Sequence, residues 1–434
     1  MLDIQFIREN SQAVTLKSAQ KGYKVDVPAI LELDTRRRAL LAEIEELRAR
    51  RNELAGELKS TKPSPEQIEQ GKQLKEKIAA LETELEPVET DFDRLLKQVP
   101  NMPLDDVPLG KSEDDNKVAK TVGEKIDFDY SPKGHWEIAE TRDLIDKSRA
   151  AKVAGARFAY IKGDLVRLQF AIIQFVIKSL GDEKLLERLI QDNNLNLVAK
   201  PFVPILPPAM IKTSVFAAMD RLEPRDDRYK VGEAEDDLWL QGSAEHTLGS
   251  MYKDEVIEEA ELPIRYVGYS SSFRREAGTY GKDTEGIIRM HQFDKLEMEV
   301  FSTAETGLSE HLFLVAIQEY LVQQLGLPYQ VILKCTADIG KPNARGIDIN
   351  VWMPGQGKYL ETHTADYMTD YQARRLKTRV RRRDGQLQLV HMSDATAFAL
   401  GRTMAAIIEN FQTHDGHIII PEVLREFMGG QEEI

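Results

Sequence analysis

The sequence predicts an α+β protein: an N-terminal antiparallel two-helix coiled-coil arm, then a larger region built on an antiparallel sheet flanked by helices. Three observations lead there. Apolar residues within 28–98 recur on a heptad frame. Residues 290–301 and 347–353 alternate with period two. Long helical patterns mix with these strands without repeated βαβ units, and no P-loop or GxGxxG opening a helix is present.

The arm carries the clearest periodicity. Leu74, Ile78, Leu81, Leu85, Val88, Phe92 and Leu95 are spaced 4, 3, 4, 3, 4, 3, an a/d seam. Pro87 inside it should kink the helix or remove a hydrogen bond. In the first half, Leu33, Leu40, Ile44, Leu47, Leu54 and Leu58 fit the same frame, with Arg37 and Arg51 in the two missing core slots. Pro63 stops one helix and Ser64-Pro65 starts the next. One seam cannot be buried alone, so the helices should pack antiparallel, the second reaching about 50 Å at about 1.5 Å per residue. Such a pair is a poor core. It suits a lever that reaches a large partner, and equally a dimerisation coiled coil. Residues 1–27 would cap its base.

A Pro- and Asp-rich stretch at 100–110 reads as a linker, which divides the chain into 1–110 and 111–434. In the second part, His291, Phe293, Lys295, Glu297 and Glu299 share one strand face, while Leu296, Met298 and Val300 lie on the other. A sheet backed by helices on one face, with the other left as an active-site floor, fits that pattern. Helices are expected over 303–325, ended by Gly326 and Pro328, and over 401–411.

Composition narrows the classes. With 434 residues, two or three domains are expected. No apolar run of about 18 residues supports a membrane span. The N-terminus lacks a basic-then-apolar signal pattern. A single cysteine, Cys335, excludes a disulfide framework and a cysteine zinc cage, and fits a reducing cytosol. The net charge of −14 argues mildly against nucleic acid overall. Residues 374–383 nevertheless hold seven cations in ten, either a phosphate-facing patch or a solvated strand edge.

The chemistry concentrates in Phe273-Arg274-Arg275-Glu276, a Gly- and Thr-rich loop at 277–286, and His291-Gln292-Phe293. This reads as strand, long loop, strand. A strand-fixed guanidinium suits phosphate, because it is always charged and binds as a fork. A phenyl ring on the partner strand can stack under a purine.

These strings resemble motif 2 of class II aminoacyl-tRNA synthetases, in its seryl form, with Lys295 and Glu297 completing it. Phe202-Val203-Pro204-Ile205-Leu206-Pro207-Pro208 resembles motif 1, which implies a homodimer. Phe398-Ala399-Leu400-Gly401-Arg402-Thr403 resembles motif 3, and Pro421-Glu422-Val423-Leu424-Arg425 the C-terminal tail. The resemblance implies a class II catalytic domain on 111–434. It implies ATP and Mg2+ as cofactors, no zinc, L-serine and tRNA(Ser) as partners with tRNA gripped by the arm, a cytoplasmic location, and service to tRNA(Sec) as well. Arg274 and Arg402 would be catalytic. Arg274, Arg275, Glu276, Phe293, Glu361, Thr362, His363, Thr364 and Arg402 would hold ATP, with magnesium on Glu361 and Thr364. His363 taken by itself reads as a structural hydrogen-bonding residue. Ser243, Ala244, Glu245, Arg274, Glu297 and Thr396 would hold serine.

Three segments depart from the family pattern. Gly242-Ser243 stands where proline-threonine is usual, His363-Thr364-Ala365 where two serines and a cysteine are usual, and Asp394-Ala395-Thr396 where Asn-Gly-Ser is usual. Two rival functions follow: a non-catalytic binding protein, and a ligase that loads an amino acid onto a carrier protein.

Overall fold

The computed structural model describes residues 1–57, 64–233, 235–277 and 285–434. Leu58, the segment around Pro63, and most of the 277–286 loop lie outside the described residues. The contacts divide the chain into two compact units, Met1–Met102 and Pro103–Ile434. The division falls near the start of the Pro- and Asp-rich stretch, because most of that stretch is bonded into the second unit. There the Leu104 amide donates to the Ala344 carbonyl (2.9 Å), and Asp106 pairs with Arg345 (2.8 Å).

In the first unit, α1 (Val27–Glu57) and α2 (Pro65–Leu96) form the hairpin. Ser64 starts α2 with a capping box: its Oγ accepts from the Gln67 amide (3.2 Å), and Gln67 Oε1 accepts from the Ser64 amide (3.0 Å). Leu40, Ile44, Leu47, Ile78, Leu85 and Val88 are buried as one cluster. At the base the seam moves from Leu95 to Leu96, which is 5% exposed. A straight helix of 3.6 residues per turn drifts by about 20° per heptad, and the drift accounts for that shift. The helix continues through Pro87. Arg37 does occupy a seam position, lying 5.5 Å over the Phe92 ring and 3.0 Å from Glu89. Arg51, by contrast, is exposed toward the far end of α1. Cross-helix pairs Arg36–Glu84, Arg48–Glu82 and Lys77–Glu43 line the outside. Each contributes at most about 1 kcal/mol, so the apolar seam holds the hairpin. Two short helices, Ile4–Glu9 and Ser11–Gln20, bury Ile7 and Val14 at its base.

The second unit is organised on eight strands: β1 (Lys117–Val122), β2 (Val203–Ile205), β3 (Ile264–Phe273), β4 (Gln292–Ser302), β5 (Tyr329–Leu333), β6 (Arg345–Met353), β7 (Lys358–Thr369) and β8 (His391–Ala399). Their order in the sheet is β1-β5-β6-β7-β8-β4-β3-β2. Every neighbouring pair is antiparallel except β2 with β3, which run parallel at the edge. One face is apolar: Leu296, Met298, Val300, Ile347, Ile349, Val351, Ala365 and Ala395 join the main core. Helices α3 (Asp164–Gly181), α4 (Gly307–Gln324) and α5 (Leu400–Asn410) supply Leu168, Phe313, Ile317, Leu321 and Ile407 to the same core. Gly326 follows α4 with φ +70°, the left-handed stop that the sequence indicates. The opposite face carries the polar residues of the same strands and forms the floor of a cleft.

Candidate active site

An open cleft lies where β4, β7 and β8 meet the N-terminus of α5. Its walls include Arg274, Glu276, Phe293, Lys295, Glu361, Thr362, Thr364, Thr396 and Arg402. The pairing of β3 with β4 brings the first two segments together, with Phe273 opposite Gln292. Just past β3, the Arg274 amide donates to the His291 carbonyl (3.0 Å), which holds the arginine beside Phe293. Arg274 Nε donates to the Gly242 carbonyl (3.1 Å), and its guanidinium carbon lies 5.4 Å from the Phe293 ring centre. Glu276 takes a left-handed backbone (φ +52°) and accepts from Arg289 (2.6 Å).

Arg402 projects from the first turn of α5, and its NH1 donates to both the Glu361 carbonyl (2.7 Å) and carboxylate (3.1 Å). Glu361 is half-exposed at the cleft wall. Burial disfavours its charge, but Arg402, Lys334, Arg274 and Lys295 outweigh this and hold its carboxyl below the usual range. The helix start is tight: a Cβ on Gly401 would stand 2.7 Å from the Ile287 carbonyl.

A register shift between β6 and β7 next to Thr362 explains which side chains face the cleft. Glu361, Thr362 and Thr364 all line it. His363 does not. It is 1% exposed, bonded through Nδ1 to Thr362 Oγ1 (2.7 Å) and edge-on to Phe398 on the helix side. Arg275 is also not brought into the cleft. Past the end of β3 its amide donates to the Asp227 carbonyl (3.0 Å), and its guanidinium lies outward over the Tyr229 ring at 5.8 Å.

Below the cleft floor sits a buried polar layer. Lys295 Nζ is 2.5 Å from Glu297 Oε2 and 3.0 Å from Ser243 Oγ, and Ser243 Oγ is 3.4 Å from the same Glu297 oxygen. Thr396 stands opposite Glu297 across the β4–β8 pair. Ala244 is wholly buried, and its carbonyl accepts from the Leu248 amide (2.9 Å). Burial pushes Glu297 up to about 7, against the pull of Lys295. Glu245 behaves oppositely: burial opposes its charge, yet its carboxyl stays below the usual range beside Lys295 and Arg221. His246, 3.3 Å from Glu245, is pushed down to about 3 by burial and is neutral at pH 7, so it lends no charge to that balance.

Four residues of the site are absent from the ligand set that the sequence implies: Lys295, Arg221 and His246 in this layer, and Arg289 at the cleft wall beside Glu276. Lys295 left a signal, being on the polar face of β4. His246 explains Gly242. The Gly242 amide donates to His246 Nδ1 (3.1 Å), a donor that proline lacks.

The cationic run at 374–383 is largely matched by acids. Arg374 pairs with Asp370 (2.6 Å), buried Arg375 with Asp220 (3.1 Å), Arg381 with Glu258 (3.2 Å) and Arg382 with Glu305 (2.9 Å). Among the described residues no group of three His, Cys, Asp or Glu is arranged to hold a metal ion, and no helix is long and apolar enough to cross a membrane.

Comparison with known proteins agrees with this geometry. Residues 1–103 match the model of the seryl-tRNA synthetase N-terminal domain, and residues 229–411 that of the tRNA synthetase class II core domain (G, H, P, S and T). A serine–tRNA ligase of Syntrophotalea carbinolica is 38% identical, covering 100% of both chains. One from Nitrosopumilus maritimus is 37% identical, again covering 100% of both. Among solved structures, seryl-tRNA synthetase from Pyrococcus horikoshii complexed with ATP superposes with a TM-score of 0.87 at 36% identity, over 100% of this chain and 99% of that one.

Proposed function

The chain belongs to the seryl-tRNA synthetase family, and from that premise we propose that it joins L-serine to tRNA(Ser) by way of seryl-adenylate. The observation that carries the reading is the single cleft in which Arg274, Phe293, Glu361 and Arg402 converge above the Ser243–Lys295–Glu297 layer.

The serine carboxylate attacks the ATP α-phosphorus in line and expels pyrophosphate. A ribose hydroxyl at the tRNA terminus then attacks the acyl carbon and releases AMP. Neither step needs a covalent enzyme intermediate, so positioning and charge neutralisation do the work. Phe293 offers a ring for adenine, and Glu276 an acceptor for its amine. Arg274 meets the α-phosphate and Arg402 the γ-phosphate. To do so Arg402 exchanges its bond to Glu361 for phosphate, which frees that carboxylate. Glu361 with the Thr364 hydroxyl then suits Mg2+, an ion commonly held by one or two carboxylates plus substrate phosphates and water. The ion would neutralise phosphate charge. Glu297 and Glu245 face the serine ammonium, and Thr396 and Ser243 its hydroxyl. An unmet hydroxyl partner is what rejects alanine.

The hairpin of α1 and α2 serves as the reader of tRNA form, since structured RNA is recognised largely by backbone and shape. The same reading extends to tRNA(Sec), to a cytoplasmic location and to a homodimer. Val203 on edge strand β2 and Leu206 just past it, 53% and 79% exposed, support the last. The test is amino-acid-dependent ATP–pyrophosphate exchange across serine, threonine, alanine and cysteine, followed by transfer to tRNA(Ser). Serine exchange with transfer is expected. Absence of exchange overturns the reading in favour of a non-catalytic protein, and exchange without transfer in favour of a carrier ligase.

A further inference from the structure

The polar layer beneath the cleft does not stop at Glu297 and Thr396. Two residues further along the same strands lies a second row, in which Glu299 on β4 stands opposite Asp394 on β8, and Asp394 opposite Asp366 on β7. Side chains two apart on a strand share a face, so this row continues the face that carries Glu297 and Thr396. All three acids are buried, at 0%, 3% and 6% exposure.

The charge of this region does not balance. Glu245, Glu297, Glu299, Asp366 and Asp394 are five carboxylates. Facing them are two cations: Lys295, on Glu297, and Arg221, 3.4 Å from Asp394 and 3.8 Å from Asp366. Lys334 is matched by Asp348 at 3.6 Å and adds no net charge. Arg228 is held by Asp227 (2.7 Å), Arg274 points along the cleft, and neutral His246 contributes none. Both Glu299 oxygens are buried without a hydrogen-bond partner. An unpaired buried carboxylate is costly, so it takes up a proton or gains a cation. Burial and the neighbouring acids favour the proton, on Glu299 and on Asp394.

We propose that this pocket also accepts and activates a small amino acid whose side chain ends in an ammonium, with L-2,3-diaminopropionate as the fitting case, because the second acid row behind Glu297 and Thr396 brings more buried carboxyls than Lys295 and Arg221 can match. The inference rests on the serine reading above. Diaminopropionate places an ammonium where serine places its hydroxyl, so it requires no extra room. The Ser243 and Thr396 hydroxyls meet it directly, and Glu299 and Asp394 act through the field of the row behind. The reaction is otherwise unchanged: its α-carboxylate attacks the ATP α-phosphorus and pyrophosphate leaves.

The experiment is ATP–pyrophosphate exchange with L-serine, L-2,3-diaminopropionate and L-alanine, on the full chain and on its Glu299→Gln variant. Wild type should exchange diaminopropionate with a kcat/KM within about 100-fold of serine and at least about 100-fold above alanine. Glu299→Gln should lower diaminopropionate exchange by about tenfold or more while leaving serine within about threefold, since the row loses one carboxyl that can give up its proton to a cation. Should that variant fail to fold, Asp366→Asn removes a charge from the same row and must show the same selective loss. Robust serine exchange with diaminopropionate no better than alanine overturns the proposal and leaves the serine reading intact. Equal loss for both substrates, or no loss, in a folded variant also overturns it. No exchange with any of the three overturns both readings.

Discussion

The Arg274 guanidinium lies 5.4 Å from the centre of the Phe293 ring, while its Nε is fixed on the Gly242 carbonyl at 3.1 Å. One nitrogen is thus committed to the protein and the rest of the fork faces the cleft. Arg274→Ala should lower serine-dependent pyrophosphate exchange by about 100- to 1,000-fold, the range for losing one preorganised transition-state donor. Arg274→Lys should restore little, because lysine cannot both hold Gly242 and present a fork. Near-normal exchange in Arg274→Ala would remove it from the reaction.

Gly401 gives a sharper steric case. A methyl there meets the Ile287 carbonyl at 2.7 Å, backbone that has little freedom to retreat. Gly401→Ala should push the start of α5, and Arg402 with it, out of line with Glu361. The expected result is a higher KM for ATP with the KM for serine little changed. A serine KM that rises as much as that for ATP would show a general collapse instead.

Much of this architecture was legible beforehand. The a/d seam of α2, the alternation of β4 and the helix stop at Gly326 are local patterns that tertiary packing reinforced. The side chains that misled are those whose direction is set by non-local pairing. His363 faces the core because β7 shifts register beside Thr362, and Arg275 turns outward because its amide is tied to the distant Asp227 carbonyl past the end of β3. Arg51 sits on the heptad frame, but its burial depends on what stands opposite it. Arg221 and the Glu299–Asp394–Asp366 row come from four distant segments, so no window of sequence could assemble them.

The raised carboxyl of Glu297 implies a pH dependence. Burial lifts it from 4.5 to about 7, so the folded chain keeps that proton where the unfolded chain has lost it. Its contribution to stability is therefore present at low pH and fades as pH rises from about 4.5 through about 7. The proposed recognition of the serine ammonium by Glu297 runs the other way, because it would need the carboxylate. The kcat/KM for serine in the exchange assay should fall as pH drops below about 7. A limb found only below about pH 5.5 would mean that Glu297 is already ionised, and the assignment would fail.

A buried pair behind the cleft wall should matter for stability and for nucleotide binding together. His135 Nδ1 donates to Glu409 Oε1 (2.8 Å), and its Nε2 accepts from the Ile287 amide (3.2 Å), with the ring fully buried. Glu409 also accepts from the Gly355 amide and Gln356. His135→Ala strands a buried amide and removes one partner from a buried carboxylate, which should cost about 1–3 kcal/mol in denaturant unfolding. Ile287 lines the cleft, so ATP KM should rise as well. Full stability in the variant would show that water replaces the imidazole.

The helical hairpin offers the cleanest separation of the two half-reactions. Its core is its own: Leu40, Ile44 and Leu47 of α1 pack on Ile78, Leu85 and Val88 of α2. Met1–Met102 and Pro103–Ile434 are separate compact units, and every residue lining the cleft belongs to the second. Deleting residues 35–97 should therefore leave pyrophosphate exchange within a few-fold of the full chain. Transfer to tRNA(Ser) should be lost, since the long lever proposed to read the RNA is gone. A gentler version keeps the fold: reversing Arg36, Arg48 and Arg50, exposed along α1, to glutamate should weaken tRNA binding and flatten its salt dependence without touching exchange. Unchanged charging in both variants would assign the arm to something other than tRNA.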